Sequence, residues 1–298
     1  MTSPNIGAMG TLDLLEGGGA SRVWSFDIKA GAWALLENAP EPVRSGGAIS
    51  NVFNGCDFGF VGEGSSNFFS TGTICDLPGA LAGAPAPVGP GAALATAPGL
   101  VGAPADSVFA LRGGGTADFW SYSISRNQWS MLPASPAPVG EGAAVVEAVD
   151  CSPATPGTPS RFQIATLRGG NTNGFWCFDI DSSTWLSGAG IPSTPAPVGP
   201  GGSIAQLQRI GRIYALRGGG ASDFWVLEYG AWRALASTPG PVHAGAALVG
   251  INYGTDDHRD VLYALQGGTS PAIWKYDVAS DTWTPIGDIP ILPNPGRR

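Results

Sequence analysis

Short apolar segments separated by glycine and proline recur along the whole chain. In one of them, FWSYSI, Trp120 and Tyr122 alternate with Phe119 and Ser121, which is the period-two pattern of a β-strand. The segments GAALV, IYALR and QWSML are of similar length and complete a set of four. Helical spacing is not sustained anywhere, so the pattern predicts an all-β chain of many short strands joined by tight turns.

These segments belong to six copies of one repeat. The first glycine of each doublet, or its nearest equivalent, recurs at intervals of 45, 51, 56, 49 and 49 residues: Gly17, Gly62, Gly113, Gly169, Gly218 and Gly267. An aromatic residue follows seven positions after each: Trp24, Phe69, Trp120, Trp176, Trp225 and Trp274. A module such as PAPVGPGAAL precedes five of the copies. Four strands at a period near 50 residues predict a β-propeller.

The copies GGNTNGFWCFDIDSSTW and GGTSPAIWKYDVASDTW join a glycine doublet, an aromatic residue, Asp and Trp, and they resemble the kelch repeat family. The resemblance spans about residues 11–288 and implies a six-bladed propeller of four-stranded antiparallel blades, with residues 1–298 forming a single domain. The second copy departs from the pattern, since it lacks one doublet glycine and both tryptophans. We expect the doublet glycines to adopt positive φ and the rings to fill the wedges between blades.

The two ends of the chain raise the question of how the propeller closes. Only ten residues precede TLDLL in the first copy, which is short for a complete first strand, and IPILPNPGRR follows the last copy. We therefore expect the terminal segments to lie together at the seam.

Charge and hydropathy exclude two classes of partner. The net charge of −8 argues against nucleic acid, because phosphate binding requires clustered Lys and Arg. Glycine and proline interrupt the apolar stretches well before the roughly 20 residues of a membrane span. The N-terminus, MTSPNIGAMG, has neither the basic start nor the apolar run of a secretory signal, so the chain is either cytosolic or a mature form with an added Met.

Kelch-like connections would sort the polar residues onto two faces. The doublet loops and the PAPVG modules would lie on one face near the axis, carrying Arg44, Glu63, Glu141, Asn173 and His243. The segments NGCDF, VDCSPATPGTPSR and GTDDHRD would lie on the other face.

Metal and cofactor sites are not expected from this arrangement. His243 and His258 would lie on opposite faces and could not share a Zn or Cu site. Asp256, Asp257 and Asp260 are more typical of an acidic surface loop than of a cation site. The glycine doublets end strands instead of opening helices, so they do not form a phosphate-binding loop, and we predict no cofactor.

The arginines before the doublets are the strongest binding candidates. Arg112, Arg168 and Arg217 would form an arc suited to carboxylates or sugar hydroxyls. A competing interpretation is a local ion pair with the residue five positions after the first glycine, as in these combinations: Arg112 with Asp118, Arg217 with Asp223, and Glu16 with Arg22, where the signs are exchanged.

The fourth copy has Gly174 at the partner position, so Arg168, near Asn171 and Asn173, is the preferred ligand contact. His243 and Glu141 complete the candidate binding set. Catalysis by Glu63 and Glu141, or by a serine with His243 as base, is less favoured, and no catalytic residue is assigned.

The four cysteines allow two bridges. Cys56 and Cys75 would lie on adjacent antiparallel strands, and Cys151 could reach Cys177 although the latter lies in mid-strand. Either bridge would indicate an oxidising, extracellular or cell-surface setting.

The resulting functional hypothesis is non-catalytic binding of a glycan or an extracellular protein surface through the face that carries Arg168 and His243. A sugar-processing enzyme resembling kelch-type sialic-acid epimerases is the first alternative, because arginines would hold a carboxylate while an acid or base moves a proton. A structural subunit of a larger extracellular assembly is the second. The fold by itself does not choose among them.

Overall fold

The computed structural model describes residues 4–6, 10–52, 56–72, 80–97, 107–151, 160–188, 190–207, 210–251 and 260–290. Within these ranges the chain forms 23 β-strands in six antiparallel sheets and no α-helix. The predicted all-β, six-bladed propeller is therefore confirmed. Five sheets have four strands, and the described part of the second has three.

The strands follow one another in chain order across each blade. Blade 1 contains β1 (Pro4–Ile6), β2 (Thr11–Leu15), β3 (Arg22–Asp27) and β4 (Ala32–Asn38). Blade 2 contains β5 (Ala48–Val52), β6 (Cys56–Phe60) and β7 (Phe68–Thr71). Blade 3 contains β8 (Ala93–Ala97), β9 (Ser107–Leu111), β10 (Phe119–Ser123) and β11 (Gln128–Met131).

The remaining blades repeat this order. Blade 4 contains β12 (Ala144–Val149), β13 (Phe162–Leu167), β14 (Phe175–Asp179) and β15 (Thr184–Leu186). Blade 5 contains β16 (Ser203–Leu207), β17 (Arg212–Leu216), β18 (Phe224–Glu228) and β19 (Ala231–Ala234). Blade 6 contains β20 (Ala247–Gly250), β21 (Val261–Leu265), β22 (Ala272–Asp277) and β23 (Thr282–Asp288).

The first strands form the inner ring of the propeller. Each packs against the first strand of the neighbouring blade, and β1 closes the ring by contacting both β5 and β20. Blade 1 is built from N-terminal residues, so the seam to blade 6 is held by side-chain packing. There Leu14 and Trp24 meet Leu265, Ile273 and Ile289. The expectation about the chain ends themselves concerns residues 1–3 and 291–298, which lie outside the described residues.

Aromatic rings fill the wedges between blades, as predicted. Trp120 and Tyr122 are fully buried on the side facing blade 2, whereas Phe119 packs towards blade 4. The tryptophan of an outer strand also packs against a phenylalanine of the preceding blade, with these ring-centroid distances: Phe68–Trp129 4.8 Å, Phe119–Trp185 4.9 Å, Phe175–Trp232 5.2 Å and Phe224–Trp283 4.9 Å. These tryptophans contribute to the core and leave little ring surface for a ligand.

The indole N–H groups of the outer-strand tryptophans also fix the connections between blades. Trp129 donates to Ala82 O at 2.9 Å, and Trp185 donates to Pro133 O at 2.8 Å. Trp232 lies two positions earlier in its repeat than the others, because a two-residue turn, Tyr229–Gly230, joins β18 to β19 where other blades use four residues. The same wedge packing is therefore reached with a shorter turn.

Candidate functional site

The doublet loops and the PAPVG modules lie on one face and hold each other there. Val139 N donates to Thr116 O at 2.9 Å, and Gly115 N donates back to Val139 O at 3.1 Å. The next residue, Gly140, donates its N–H to Arg168 O at 3.1 Å. Each module therefore links the loop of the preceding blade to the loop of its own blade, and the predicted sharing of one face by these loops is confirmed.

Around the axis, the modules pack through their backbones. Gly91, Gly142 and Gly201 have φ between +82° and +88°, and a Cβ on each would overlap a carbonyl oxygen of the next module. Glycine is required here both by the left-handed backbone conformation and by the lack of space for a Cβ atom. The centre of this face therefore consists mainly of peptide backbone. Residues at the corners of the module turns, such as Glu141, are exposed to solvent.

Two of the three candidate arginines are held in ion pairs. Arg112 Nη1 lies 2.8 Å from Asp118 Oδ2, and Arg217 Nη1 lies 3.0 Å from Asp223 Oδ2. Their Nε atoms donate to Pro87 O at 3.0 Å and to Pro197 O at 3.2 Å. The ion-pair prediction is confirmed, and a ligand at either arginine, which stays a prediction, would have to compete with the aspartate.

The first copy contains the same pair with its signs exchanged, as predicted. Glu16 accepts hydrogen bonds from Arg22 Nε at 2.7 Å and Arg22 Nη2 at 2.6 Å, and a third from Trp24 Nε1 at 2.8 Å. The hydrogen bonds to Glu16 raise the pKa of the Arg22 guanidinium. In the sixth copy, the neutral Gln266 donates to Pro241 O at 3.1 Å and accepts a hydrogen bond from Ser270 Oγ at 2.5 Å.

Arg168 has the same anchor but no acid beside it. Its Nε donates to Pro138 O at 3.0 Å, and Gly174 occupies the place of the aspartate. No carboxylate of the described residues forms an ion pair with Arg168. Its two terminal NH₂ groups therefore stay available on a side chain whose position is already fixed.

Other candidate residues surround this arginine. Asn171 has φ +56°, and its N–H donates to Val198 O at 2.9 Å. Its side chain therefore projects from a loop whose backbone is anchored by a hydrogen bond. Asn173 is exposed two residues later. Glu141 belongs to the neighbouring module, where its carbonyl accepts from Gly170 N at 2.8 Å. Arg168, Asn171, Asn173 and Glu141 therefore belong to one cluster, which we call the blade 4 loop cluster.

The remaining candidates on this face lie apart from the cluster. His243 is exposed in the module between blades 5 and 6, and its N–H donates to Gln266 O at 3.0 Å. Glu63 follows Gly62 in the blade 2 loop, and the module of residues 89–91 separates it from Glu141. The predictions for His258, Asp256 and Asp257 concern residues outside the described ranges.

The cysteine predictions are confirmed where the structure describes both partners. Cys151 and Cys177 form a disulfide with a Cα–Cα distance of 6.0 Å, and both are buried. Cys56 is also disulfide-bonded, while its predicted partner Cys75 lies outside the described residues. Cys177 can form this bridge from the middle of β14 because Cys151 lies just beyond the end of β12, where it is not held in a strand.

Sequence reasoning missed a pair of buried acids between blades 1 and 2. Asp13 on β2 is 5% exposed and Asp57 on β6 is 1% exposed. Asn51 Nδ2 donates to Asp57 Oδ1 at 2.7 Å, and the buried Asp13 has Ser25 and Asp57 as polar neighbours. Burial is the largest influence on the Asp13 carboxyl and raises its pKa, and the opposing effects of Ser25 and Asp57 are smaller. The signal in the sequence was an aspartate inside each of two apolar strands, TLDLL and CDFGF.

Comparison with protein-family models and with curated proteins finds no match for this chain. Among the described residues, no three His, Cys, Asp or Glu side chains are grouped as a metal site would require. The same part of the chain contains no helix long and apolar enough to cross a bilayer.

Proposed function

We propose that this chain is a kelch-type, single-domain propeller that acts as a non-catalytic binding module. Its ligand is a glycan or an extracellular protein surface that presents a carboxylate to the blade 4 loop cluster. The observation that carries this proposal is the unpaired guanidinium of Arg168 in a repeat whose other copies satisfy the same position.

The comparison between copies is informative because the backbone is the same in each. Copies 3 and 5 pair Arg with Asp, copy 1 reverses the pair, and copy 6 replaces it with a neutral hydrogen bond. Copy 2 has Val61 at this position, and its Asn67 donates to Glu41 Oε1 at 2.5 Å. Among the described residues at this position of the repeat, only copy 4 has a cation without an acidic partner.

The geometry of Arg168 suits a carboxylate. Its Nε is bonded to Pro138 O, so the terminal edge of the planar guanidinium faces outward and can donate two parallel hydrogen bonds. Because the side chain is already ordered, binding loses less conformational entropy than it would with a mobile arginine. The amides of Asn171 and Asn173 can donate to or accept from neighbouring hydroxyls.

A glycan or protein partner fits an extracellular or cell-surface location, and a disulfide bond supports that location. The disulfide between Cys151 and Cys177 is a bond that persists in oxidising compartments.

The test is a glycan array that includes acidic sugars and their carboxyl-reduced analogues, probed with the wild type and three variants. Arg168→Ala removes the guanidinium. Gly174→Asp adds the acid that Asp118 and Asp223 provide in the sibling loops, and the Arg168 side chain has to shift to admit its Cβ, which would lie 2.8 Å from Arg168 Cβ. We expect either change to weaken binding about 10- to 100-fold, as expected for a charged hydrogen bond. Arg112→Ala is the matched control, because this arginine already has a partner.

Three results would contradict the proposal. Undiminished binding by Gly174→Asp would show that the unpaired state of Arg168 is irrelevant. Equal binding of carboxyl-reduced sugars would exclude carboxylate recognition, and turnover of an acidic sugar on the array would favour the enzyme alternative.

A further inference from the structure

The blade 4 loop contains an asparagine directly followed by glycine. Asn173 is exposed, and its side-chain amide makes no hydrogen bond within the described part of the chain. Two backbone carbonyls hold the loop, since Thr194 N donates to Asn173 O at 3.0 Å and Arg168 N donates to Gly174 O at 2.9 Å. The N–H of Gly174 itself has no hydrogen-bond acceptor in the described ranges.

Asn171 provides a natural comparison in the same loop. It is equally exposed, but the following N–H, that of Thr172, donates to Gly169 O at 3.1 Å. Thr172 also carries a branched side chain beside this nitrogen, whereas Gly174 carries none. The nitrogen after Asn173 is therefore free of a competing hydrogen bond and has no side chain on its own Cα, although the Arg168 side chain packs against Gly174. The nitrogen after Asn171 donates a hydrogen bond and lies beside a branched side chain.

We propose that Asn173 is a site of spontaneous deamidation that changes the charge of the blade 4 loop cluster. The Gly174 nitrogen attacks Asn173 Cγ, a new C–N bond forms, and the Cγ–Nδ2 bond breaks. Ammonia leaves with the proton from the Gly174 nitrogen. Water then opens the cyclic imide to give aspartate or isoaspartate, so that one amide and one water yield one carboxylate and one ammonium ion.

The product places a negative charge beside the unpaired Arg168. The new carboxylate lies one position before the place occupied by Asp118 and Asp223 in the sibling loops, so it adds an acid to the one of these loops whose arginine has no acidic partner. The isoaspartate form also lengthens the backbone by one carbon between residues 173 and 174, and it converts the anchored Asn173 carbonyl into the free carboxylate. The consequence for ligand binding rests on the proposed function, while the chemical modification does not.

The experiment follows both asparagines in one peptide. The full chain is incubated at mildly alkaline and at mildly acidic pH, then reduced, alkylated and digested with trypsin. The peptide 169–209 carries Asn171 and Asn173 together, and the peptide 45–112 carries the second Asn-Gly pair, Asn54–Gly55. Fragmentation spectra assign the mass increase that results when –NH₂ is replaced by –OH.

We expect Asn173 to deamidate at least an order of magnitude faster than Asn171, and faster at alkaline pH because attack requires loss of the Gly174 amide proton. Asn173→Gln should abolish the reaction at this position, since its longer side chain cyclises poorly. Equal rates at the two asparagines, or faster reaction at Asn171, would overturn the proposal.

A second measurement separates this inference from the proposed function. On the glycan array, Asn173→Asp should bind about 10-fold more weakly than the uncharged Asn173→Gln, as expected when a carboxylate neutralises Arg168. Deamidation without a difference between these variants would refute the link to ligand recognition. If the wild type binds no carboxylate ligand, the proposed function fails, but the peptide analysis still decides the modification.

Discussion

The buried acids Asp13 and Asp57 make the stability of the propeller depend on pH in an unusual direction. Asp57 is a polar neighbour of Asp13, and two ionised carboxylates could not bond to each other without a proton, because both only accept hydrogen bonds. Both side chains are almost fully buried, so two negative charges at this interface would be strongly disfavoured. The folded protein therefore retains a proton at the pair when the unfolded chain has already lost it.

The sign and size of the effect follow from proton linkage. Burial raises the folded-state pKa of Asp13 above its ordinary value of 3.8. Between these two values the folded state binds more protons than the unfolded state, so the free energy of unfolding falls as pH rises. For one proton the slope is about 1.4 kcal/mol per pH unit. Burial raises the pKa of Asp179, but hydrogen bonds from Ser182 and Gln163 and the charge of Arg161 together lower it, so this group contributes only at pH values below 3.8.

The assay is urea denaturation across the mildly acidic to neutral range, with intrinsic tryptophan fluorescence as the signal. We expect wild-type stability to decrease with pH over the lower part of this range and Asp13→Asn to flatten the curve, because its amide donates to Asp57 without titrating. Asp118→Asn is the control, since its partly exposed carboxylate belongs to an ordinary ion pair. A wild-type slope of zero, or the same slope in Asp13→Asn, would refute the shared proton.

Three further predictions concern the stability of the loop face and of blade 4, and urea denaturation checks each of them. Arg22→Ala should cost about 3 kcal/mol because it leaves the buried Glu16 charge unpaired, whereas Arg112→Ala, in a more exposed pair, should cost less than about 1 kcal/mol; equal losses would contradict this ranking. Gly115→Ala meets open space and should cost about 1 kcal/mol for its positive φ. Gly91→Ala also overlaps Gly140 O and should cost at least about 2 kcal/mol more. Replacing Cys151 and Cys177 together by Ala removes a bridge between cysteines 26 residues apart, leaves the bond of Cys56 intact and should lower stability by about 3 kcal/mol; an unchanged midpoint would show that the bridge contributes little.

The number of blades and the local pairs were predictable because they depend on spacing along the chain. A period near 50 residues fixes the blade count, and a separation of six positions along the chain brings Arg112 to Asp118 whatever the rest of the fold does. The exchange of Glu16 with Arg22 showed that these two positions compensate each other. Interactions inside one repeat can thus be recognised by comparing the sequences of the six copies.

The interactions between blades could not be recognised in this way. Asp13 and Asp57 are separated by 44 residues and lie on different blades, so their meeting depends on the relative height of two sheets. Neither aspartate recurs at an equivalent place in the other copies in a way that marks a partner. The proline carbonyls that fix Arg112, Arg168 and Arg217 were missed for a related reason, since a backbone acceptor is not visible in side-chain patterns.

Packing around the axis limits where this face can carry a ligand-binding side chain. At Gly89, Gly140 and Gly199, a Cβ would approach the Cα of the neighbouring doublet glycine to 3.0 Å or less. The corresponding positions of the first and last modules hold Arg44 and His243, the two places where a side chain is present.

The centre of the face therefore offers mainly backbone groups, which are the same in every copy and cannot distinguish ligands. Specific recognition has to come from the doublet loops, where the copies differ. In most of these loops, the polar side chains form ion pairs or hydrogen bonds with other groups of the protein. The loop of blade 4 instead keeps its cation and two amides for solvent, and this difference makes Arg168 the residue whose replacement tests the function most directly.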